Sequence, residues 1–234
     1  SAHRAMIRER VGASLLYRWP GAGEGDRAPV AFIAHIDVVP VEPGTEDQWT
    51  YPPFDGVIAD GFVWGRGAMD DKGHLIALME AAERLIVGGF APSRDVYFLF
   101  GHDEEGGGAE GAGAMRRLLD ARGVKFDWTL DEGSGLVAGV IPRAQGPMAL
   151  IAVAEKGSTT LKFTATAPGG HSSAPGKDTA VSIAARAVIA VNDNPYPLEI
   201  DADMAAFLRS LAPQLSFGER VVLAAVELQQ VRLQ

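Results

Sequence analysis

The sequence predicts an α/β fold in which helices flank a mainly parallel sheet. Residues 30–34 and 96–100 are short apolar runs, the second rich in β-branched and aromatic residues, and both are typical of buried strands. Between them, apolar residues recur at helical spacing over 75–86, and two glycines follow as a stop signal. A second helix is predicted over 112–121 and a third strand over 128–130. Strands and helices that alternate in this way favour a parallel sheet.

The pattern changes near residue 148, and the C-terminal part is predicted to be α+β. Residues 148–154 and 158–167 have the character of paired strands, with a turn at Lys156 and Gly157. Helices are predicted over 179–191 and 204–211. We therefore expect two domains, over residues 1–154 and 155–234.

The composition excludes several classes of protein. The 234 residues include 30 Asp and Glu against 21 Lys and Arg, which argues against a general nucleic-acid binder because such proteins rely on cationic contacts to phosphates. No segment approaches the roughly 20 apolar residues that span a bilayer, so no membrane segment is expected. With no cysteine in the chain, disulfides and thiolate metal sites are excluded.

Acidic residues gather just after the predicted strands, which is where open α/β sheets place their sites. His35 and Asp37 end the first strand on one face, so Asp37 could orient the imidazole while His35 offers its other nitrogen to a metal. A hydrogen-bonded surface pair is the alternative. Asp70 and Asp71 precede the first long helix, where a helix cap would explain one acid but not both.

Two further acidic clusters follow later strands. Residues 103–105 are three adjacent acids that repel one another, either in a solvated loop or around a cation that neutralises them. Asp131 and Glu132 follow the third strand. Together the clusters supply an imidazole and several carboxylates, a donor set suited to two zinc, cobalt or manganese ions. Glu104 is then free to act as a base in a two-metal hydrolase.

Six segments carry a resemblance to a known family, and they occur in the family's order. They are residues 35–40, 64–72, 101–105, 130–133, 155–158 and 170–175. The chain resembles the zinc-dependent carboxypeptidase S and aminoacylase group of metallopeptidases. Within it, the sequence is most similar to the carboxypeptidase S branch that includes N-acyl-amino-acid synthase/hydrolases. The resemblance implies a zinc-exopeptidase-like catalytic domain followed by a smaller lid domain.

The resemblance also implies roles for individual residues. His35, Asp70 and Glu132 would hold one zinc ion, and Asp70 and Glu105 the other. Glu132 is chosen over Asp131 because the acid before the glycine fills this role in aminoacylase-like members. The general base is expected to be Glu104.

Two further roles follow from the same resemblance. Asp37 is expected to support His35. His171 matches a lid histidine thought to contact the developing oxyanion in a partner's active site, so a homodimer through the lid domain is expected. The implied substrates are short peptides, cleaved at the C-terminal residue, or N-acyl amino acids.

The sequence departs from the family in one respect. The family's second zinc takes a further histidine from beyond the lid, and no histidine follows His171 here. The family's N-terminal helices are also absent. The chain is therefore expected to be an internal piece of a longer enzyme, with the remaining ligand outside it and the compartment open. His102 and His171 are the residues to test as substitutes.

Three other functions compete with a metal-dependent hydrolase. Residues 106–111 match the G-x-G-x-x-G dinucleotide motif, but the preceding acids would repel a pyrophosphate. A serine hydrolase is disfavoured because no G-x-S-x-G segment is complete. A non-catalytic binding member of the same fold is the remaining alternative, and it would be marked by loss of Glu104 or of the metal ligands.

Overall fold

The computed structural model describes residues 2–23, 27–133, 135–140, 146–155, 157–174, 176–197 and 200–222. The chain forms two compact units, residues 1–132 and 133–234. This division falls earlier than the boundary expected near Glu155. The assignment of the two parts to a catalytic and a lid domain stays a prediction.

The first unit contains seven strands and three α-helices among its described residues. In chain order they are α1 (Ala2–Ala5), β1 (Ile7–Val11), β2 (Ser14–Trp19), β3 (Val30–His35), β4 (Val57–Ala59), β5 (Phe62–Trp64), α2 (Lys72–Val87), β6 (Val96–Gly101), α3 (Ala112–Ala121) and β7 (Trp128–Leu130). The predicted strands over 30–34, 96–100 and 128–130 and the helices over 75–86 and 112–121 are therefore confirmed.

The central sheet has the order β1-β2-β6-β3-β7. β3 pairs in parallel with both β6 and β7, whereas β2 pairs antiparallel with β6 and β1 antiparallel with β2. The three predicted strands therefore pair in parallel, as expected, whereas the sheet as a whole is mixed rather than mainly parallel. The difference comes from the β1–β2 hairpin, whose strands carry charged residues and were not recognised in the sequence.

Successive residues of β6 pack on opposite faces of the sheet, as the period of two requires. Phe98 and Phe100 belong to a core cluster that is packed against α2 through Leu75 and Leu78, whereas Tyr97 and Leu99 belong to a second cluster that includes residues of α3. The two helices therefore cover opposite faces. Burial on both faces explains why β6 is a continuous apolar run.

The hairpin of β4 and β5 turns at Asp60 and Gly61, which both have positive φ (54° and 81°). An Asp-Gly pair suits this two-residue turn because the αL conformation carries no steric cost at glycine and is tolerated by aspartate. The hairpin precedes the loop over 65–71, and that loop leads into α2.

The second unit is described by β8 (Leu136–Val137), β9 (Met148–Ala149), α4 (Ala180–Asp193) and α5 (Ala202–Leu211). The two helices confirm the predictions over 179–191 and 204–211. The predicted strand pair is wrong: β9 pairs with β8, and residues 158–167 form no strand. Alternation specifies a strand only where a partner is available, and the apolar residues Leu161 and Phe163 remain more than half exposed. The predicted turn at Lys156 lies outside the described residues.

Among the described residues, no helix combines the length and apolarity that crossing a membrane requires.

The core of the first unit generates a stability prediction. Phe100 is 1% exposed, so Phe100→Ala should lower the free energy of unfolding by about 3–5 kcal/mol through lost burial and the cavity that remains. Phe54 is 64% exposed, and Phe54→Ala should change the free energy of unfolding by less than about 0.5 kcal/mol. Urea denaturation of both variants measures the difference. Equal losses would contradict the core assignment.

Candidate metal centre

Three parallel strands bring their carboxyl ends to one edge of the sheet. In the β3–β6 pair, His35 lies opposite Gly101, and on the other side of β3, Phe32 lies opposite Leu130 of β7. The residues that follow these strands therefore share one edge, as expected for an open α/β sheet. His35, the loop after β6 and the acids after β7 all lie at this edge.

His35 is at the centre of the cluster and is only 2% exposed. Its Nε2 lies 3.0 Å from Asp70 Oδ1, 3.4 Å from Glu132 Oε2 and 3.9 Å from Glu104 Oε2. One ring nitrogen thus faces carboxylates contributed by three separate loops.

Asp37 contacts His35 mainly through its backbone. The Asp37 carbonyl oxygen lies 3.1 Å from His35 Nδ1, whereas the carboxylate approaches it only to 3.4 Å. When Nδ1–H donates to this carbonyl, the Nε2 lone pair faces the acidic cluster, as a metal ligand requires.

The Asp37 carboxylate has a further function that the sequence did not predict. It accepts hydrogen bonds from the backbone N–H groups of Glu104, at 3.1 Å, and Glu105, at 3.0 Å. Asp37 therefore fastens the loop after β6 to the end of β3. Since the two loops are far apart in the chain, no local spacing could have indicated this contact.

The loop over 65–71 carries Asp70 to His35. At Gly67 the backbone has a φ of 78°, and a Cβ there would lie 2.8 Å from Val38 Cγ1. Only glycine combines this conformation with so close an approach. The peptide bond between Asp70 and Asp71 is cis.

Asp71 is a buried acid behind the cluster, 3% exposed, and no role in the site was predicted for it. It occupies the position before α2, but its side chain makes no cap hydrogen bond. Instead, Asp71 Oδ2 accepts the backbone N–H of His35 at 3.2 Å, and Oδ1 lies 3.4 Å from His74 Nδ1. Burial raises the pKa of Asp71. The signal in the sequence was the second acid, which a helix cap left unexplained.

Among the described residues, two sets of three bring potential ligand atoms within 4.8 Å of one another. The first set is His35, Asp70 and Glu132, the same residues that the family resemblance assigned to one ion. The second is His35, Glu104 and Glu105, so Glu105 is grouped here with the expected base rather than with Asp70. Asp70 and Glu105 nevertheless line one cavity.

The remaining candidates lie elsewhere. Among the described residues, Asp131 belongs to neither set, and its Oδ1 accepts the N–H of Glu132 at 2.9 Å. His102 Nδ1 is 2.7 Å from Oγ of the buried Ser14, so its side chain is engaged with the start of β2. His171 is exposed and lies in a turn of the second unit. Its predicted contact with substrate in a partner's site stays a prediction.

The crowded carboxylates affect one another's protonation. Burial, followed by the negative charge of Asp71, raises the pKa of Glu132 to about 7. The pKa of Glu104 is also raised, mainly by burial. Burial alone would lower the pKa of His35, but Glu132, Asp70 and Asp37 outweigh burial and raise it. The site without metal therefore retains protons that a cation would displace.

The sequence of the chain also matches a known family. The sequence matches Peptidase family M20/M25/M40 over residues 31–228. The chain belongs to the M20/M25/M40 peptidase family. The resemblance to metallopeptidases is thereby confirmed.

Curated relatives of this M20/M25/M40 chain include carboxypeptidases and an acyl-amino acid enzyme. It is 43% identical over 184 residues to "Probable carboxypeptidase S-like 2" of Dictyostelium discoideum, over 78% of this chain and 35% of the relative. It is 36% identical over 223 residues to "N-fatty-acyl-amino acid synthase/hydrolase PM20D1" of Mus musculus, over 94% of this chain and 44% of the relative. It is 36% identical over 208 residues to "Carboxypeptidase S" of Saccharomyces cerevisiae, over 86% of this chain and 35% of the relative. The matches span less than half the length of these relatives.

The raised pKa values generate a prediction for this M20/M25/M40 site. Because the pKa of Glu132 is about 7 and that of His35 is raised, part of each population is protonated at pH 7. Zinc binding to metal-free protein should release protons, and its affinity should increase from pH 5 to pH 8. Calorimetry in buffers of different ionisation enthalpy measures the release. A proton count of zero at pH 7 would contradict the prediction.

Proposed function

We propose that this chain supplies most of the metal-binding site of an amide hydrolase that requires two divalent metal ions. The observation that carries the proposal is the convergence of Asp70 and Glu132 on Nε2 of the buried His35, at 3.0 and 3.4 Å. Membership of a peptidase family supports hydrolysis of amide bonds. The names of the relatives support short peptides, cleaved at the C-terminal residue, or N-acyl amino acids as substrates.

The donor atoms fit the proposed ions. His35, Asp70 and Glu132 would hold one ion, and Asp70 and Glu105 would contribute to the other. Imidazole nitrogen with carboxylate oxygen suits zinc, with cobalt and manganese as alternatives. Bound divalent cations would polarise the amide carbonyl and lower the pKa of a water molecule nearby. They would also offset the repulsion that raises the pKa of Glu132.

Glu104 is the proposed general base. It lies at the edge of the cluster, 3.9 Å from His35 Nε2, and its side chain is half exposed, so substrate and water can reach it. It takes a proton from the attacking water and passes it to the leaving nitrogen. Its raised pKa makes the carboxylate a stronger proton acceptor, and the bond from its N–H to Asp37 fixes its position.

His171 and a homodimer through the second unit complete the proposal. In this arrangement His171 of one protomer contacts the developing oxyanion in its partner's site. His171 is exposed, as such a contact requires. A hydrogen bond to the oxyanion would be worth most in the transition state, where the negative charge develops.

Metal dependence is the first expected outcome. Treatment of the full-length protein with a chelator should abolish cleavage of N-acetyl amino acids and blocked dipeptides. In the proposed mechanism the metal ions polarise the amide carbonyl and activate the water, and the neutral or anionic ligand residues cannot replace them in this role. Added zinc, cobalt or manganese should restore the activity. The control is the same chelator saturated with zinc before use. Undiminished turnover after verified metal removal would contradict the proposal.

The second expected outcome separates the two adjacent glutamates. Glu104→Gln should keep the metal content and lower kcat by about 10²–10⁴-fold, since it removes the base alone. Glu105→Gln should lower the metal content as well. Glu110→Gln, in the loop that follows, is the matched control and should leave both quantities unchanged. Metal analysis with steady-state kinetics decides, and the reverse pattern of metal loss would exchange the two roles.

A further inference from the structure

The loop over residues 102–105, which carries the proposed base and a proposed metal ligand, starts from a strand that is held on both sides. Gly101, the last residue of β6, lies opposite His35 of β3, and its carbonyl oxygen accepts the N–H of Ile36 at 2.8 Å. On its other side β6 pairs with β2. The path of the loop therefore depends on the contacts that hold the residues after Gly101.

One side chain fastens this loop to β2. His102 Nδ1 lies 2.7 Å from Oγ of Ser14, the first residue of β2, and the two residues are 88 positions apart in the chain. A Cβ at Gly12 would lie 3.7 Å from His102 Cε1, so the imidazole also lies close to the turn between β1 and β2. His102 thus joins the start of the loop to the β1–β2 hairpin.

The burial of Ser14 makes this bond difficult to replace. Ser14 is 0% exposed, and among the described residues its hydroxyl has no hydrogen-bond partner besides His102. If the imidazole turned away, the hydroxyl would be left unpaired away from solvent, which is unfavourable. Donation from the Ser14 O–H to Nδ1 satisfies the hydroxyl and places the ring proton of His102 on Nε2.

Asp37 holds the same loop from the opposite side. Its carboxylate accepts the N–H groups of Glu104 and Glu105, at 3.1 and 3.0 Å. β2 and β3 flank β6, so Ser14 fixes the first residue of the loop from one neighbouring strand and Asp37 fixes the third and fourth from the other. Contacts on both sides restrict the backbone from which the side chain of Glu104 extends.

General-base catalysis is sensitive to such a restriction. The base must lie within hydrogen-bond distance of the proton that it takes, and a displacement of about 1 Å can lower the rate about 100-fold. If the start of the loop were loose, Glu104 would occupy productive positions for a smaller part of the time. The proposed base acts on the water and does not hold the substrate. Turnover should therefore respond more strongly than substrate affinity.

We propose that His102 is a positioning residue for the general base. Through its hydrogen bond to Ser14 it fixes the start of the loop after β6, and thereby the place of Glu104. The inference rests on the proposed amide hydrolase function and deepens it. His102 then acts through its contact with β2 and is not a substitute metal ligand.

The test measures steady-state kinetics of the full-length protein at saturating zinc. His102→Leu and Ser14→Ala should each lower kcat about 10- to 100-fold and change KM by less than about 3-fold. His102→Asn should restore most of the turnover, because its amide oxygen can accept the Ser14 O–H near the position of Nδ1. The double variant should be no slower than the slower single variant, since both changes remove the same bond.

Hydrogen exchange at the backbone amides of Glu104 and Glu105 provides a measurement that needs no hydrolysis. Exchange should be faster in His102→Leu and in Ser14→Ala than in the wild-type protein, and close to the wild-type rate in His102→Asn. Leu119→Val is the matched control. Leu119 is a 2% exposed residue of α3, so this variant loses core packing without touching the loop, and its kcat and loop exchange should be unchanged.

Several outcomes would overturn the proposal. They are additive losses in the double variant, no rescue by asparagine, unchanged amide exchange, or a loss of kcat that excess zinc reverses. Zinc loss in His102→Leu but not in Ser14→Ala would make His102 a metal ligand instead. The proposed function fails separately, through hydrolysis that resists metal removal, and the amide exchange decides on His102 in either case.

Discussion

The parallel pairing of β3 with β6 is the constraint on which the rest of the site depends. It sets His35 opposite Gly101, and neighbouring strands lie about 4.8 Å apart, so the residues after both strands must emerge side by side. Asp37 uses this closeness, because its carboxylate accepts two backbone N–H groups of the neighbouring loop. A shift of one residue in the register would turn His35 to the other face of the sheet, away from the carboxylates of Asp70 and Glu132.

Electrostatics oppose the arrangement that the sheet imposes. The raised pKa values of Glu132 and Glu104 show that burial and mutual repulsion disfavour their charged forms. A cluster of this kind lowers the stability of the metal-free fold, since partial desolvation and mutual repulsion disfavour the charged forms of its carboxylates. Divalent cations would supply the missing positive charge. Metal binding would thus be coupled to the folding of the first unit, since a cation that binds the folded state stabilises it by mass action.

The elements that follow simple periodicities could be predicted from the sequence. β3 and β6 are apolar runs because both their faces are covered, and α2 and α3 show helical spacing because one side of each packs on the sheet. The β1–β2 hairpin escaped prediction because charged residues interrupt its apolar pattern. For the β4–β5 hairpin, the Asp60–Gly61 pair in the sequence was a signal for a two-residue hairpin turn. The opposite error occurs at residues 158–167, where apolar and polar residues alternate as in a strand but no strand forms.

The candidate site could be anticipated in its residue types but not in its supporting contacts. Acids after buried strands are unusual enough to be noticed, and the structure brings His35, Asp70 and Glu132 together. By contrast, the bond from the His35 N–H to Asp71 spans 36 positions in the chain, and those from the loop after β6 to Asp37 span 67 and 68. Such contacts arise only when the strands are aligned. Local spacing therefore identifies the groups that do chemistry, whereas the groups that hold them in place become visible only in the folded chain.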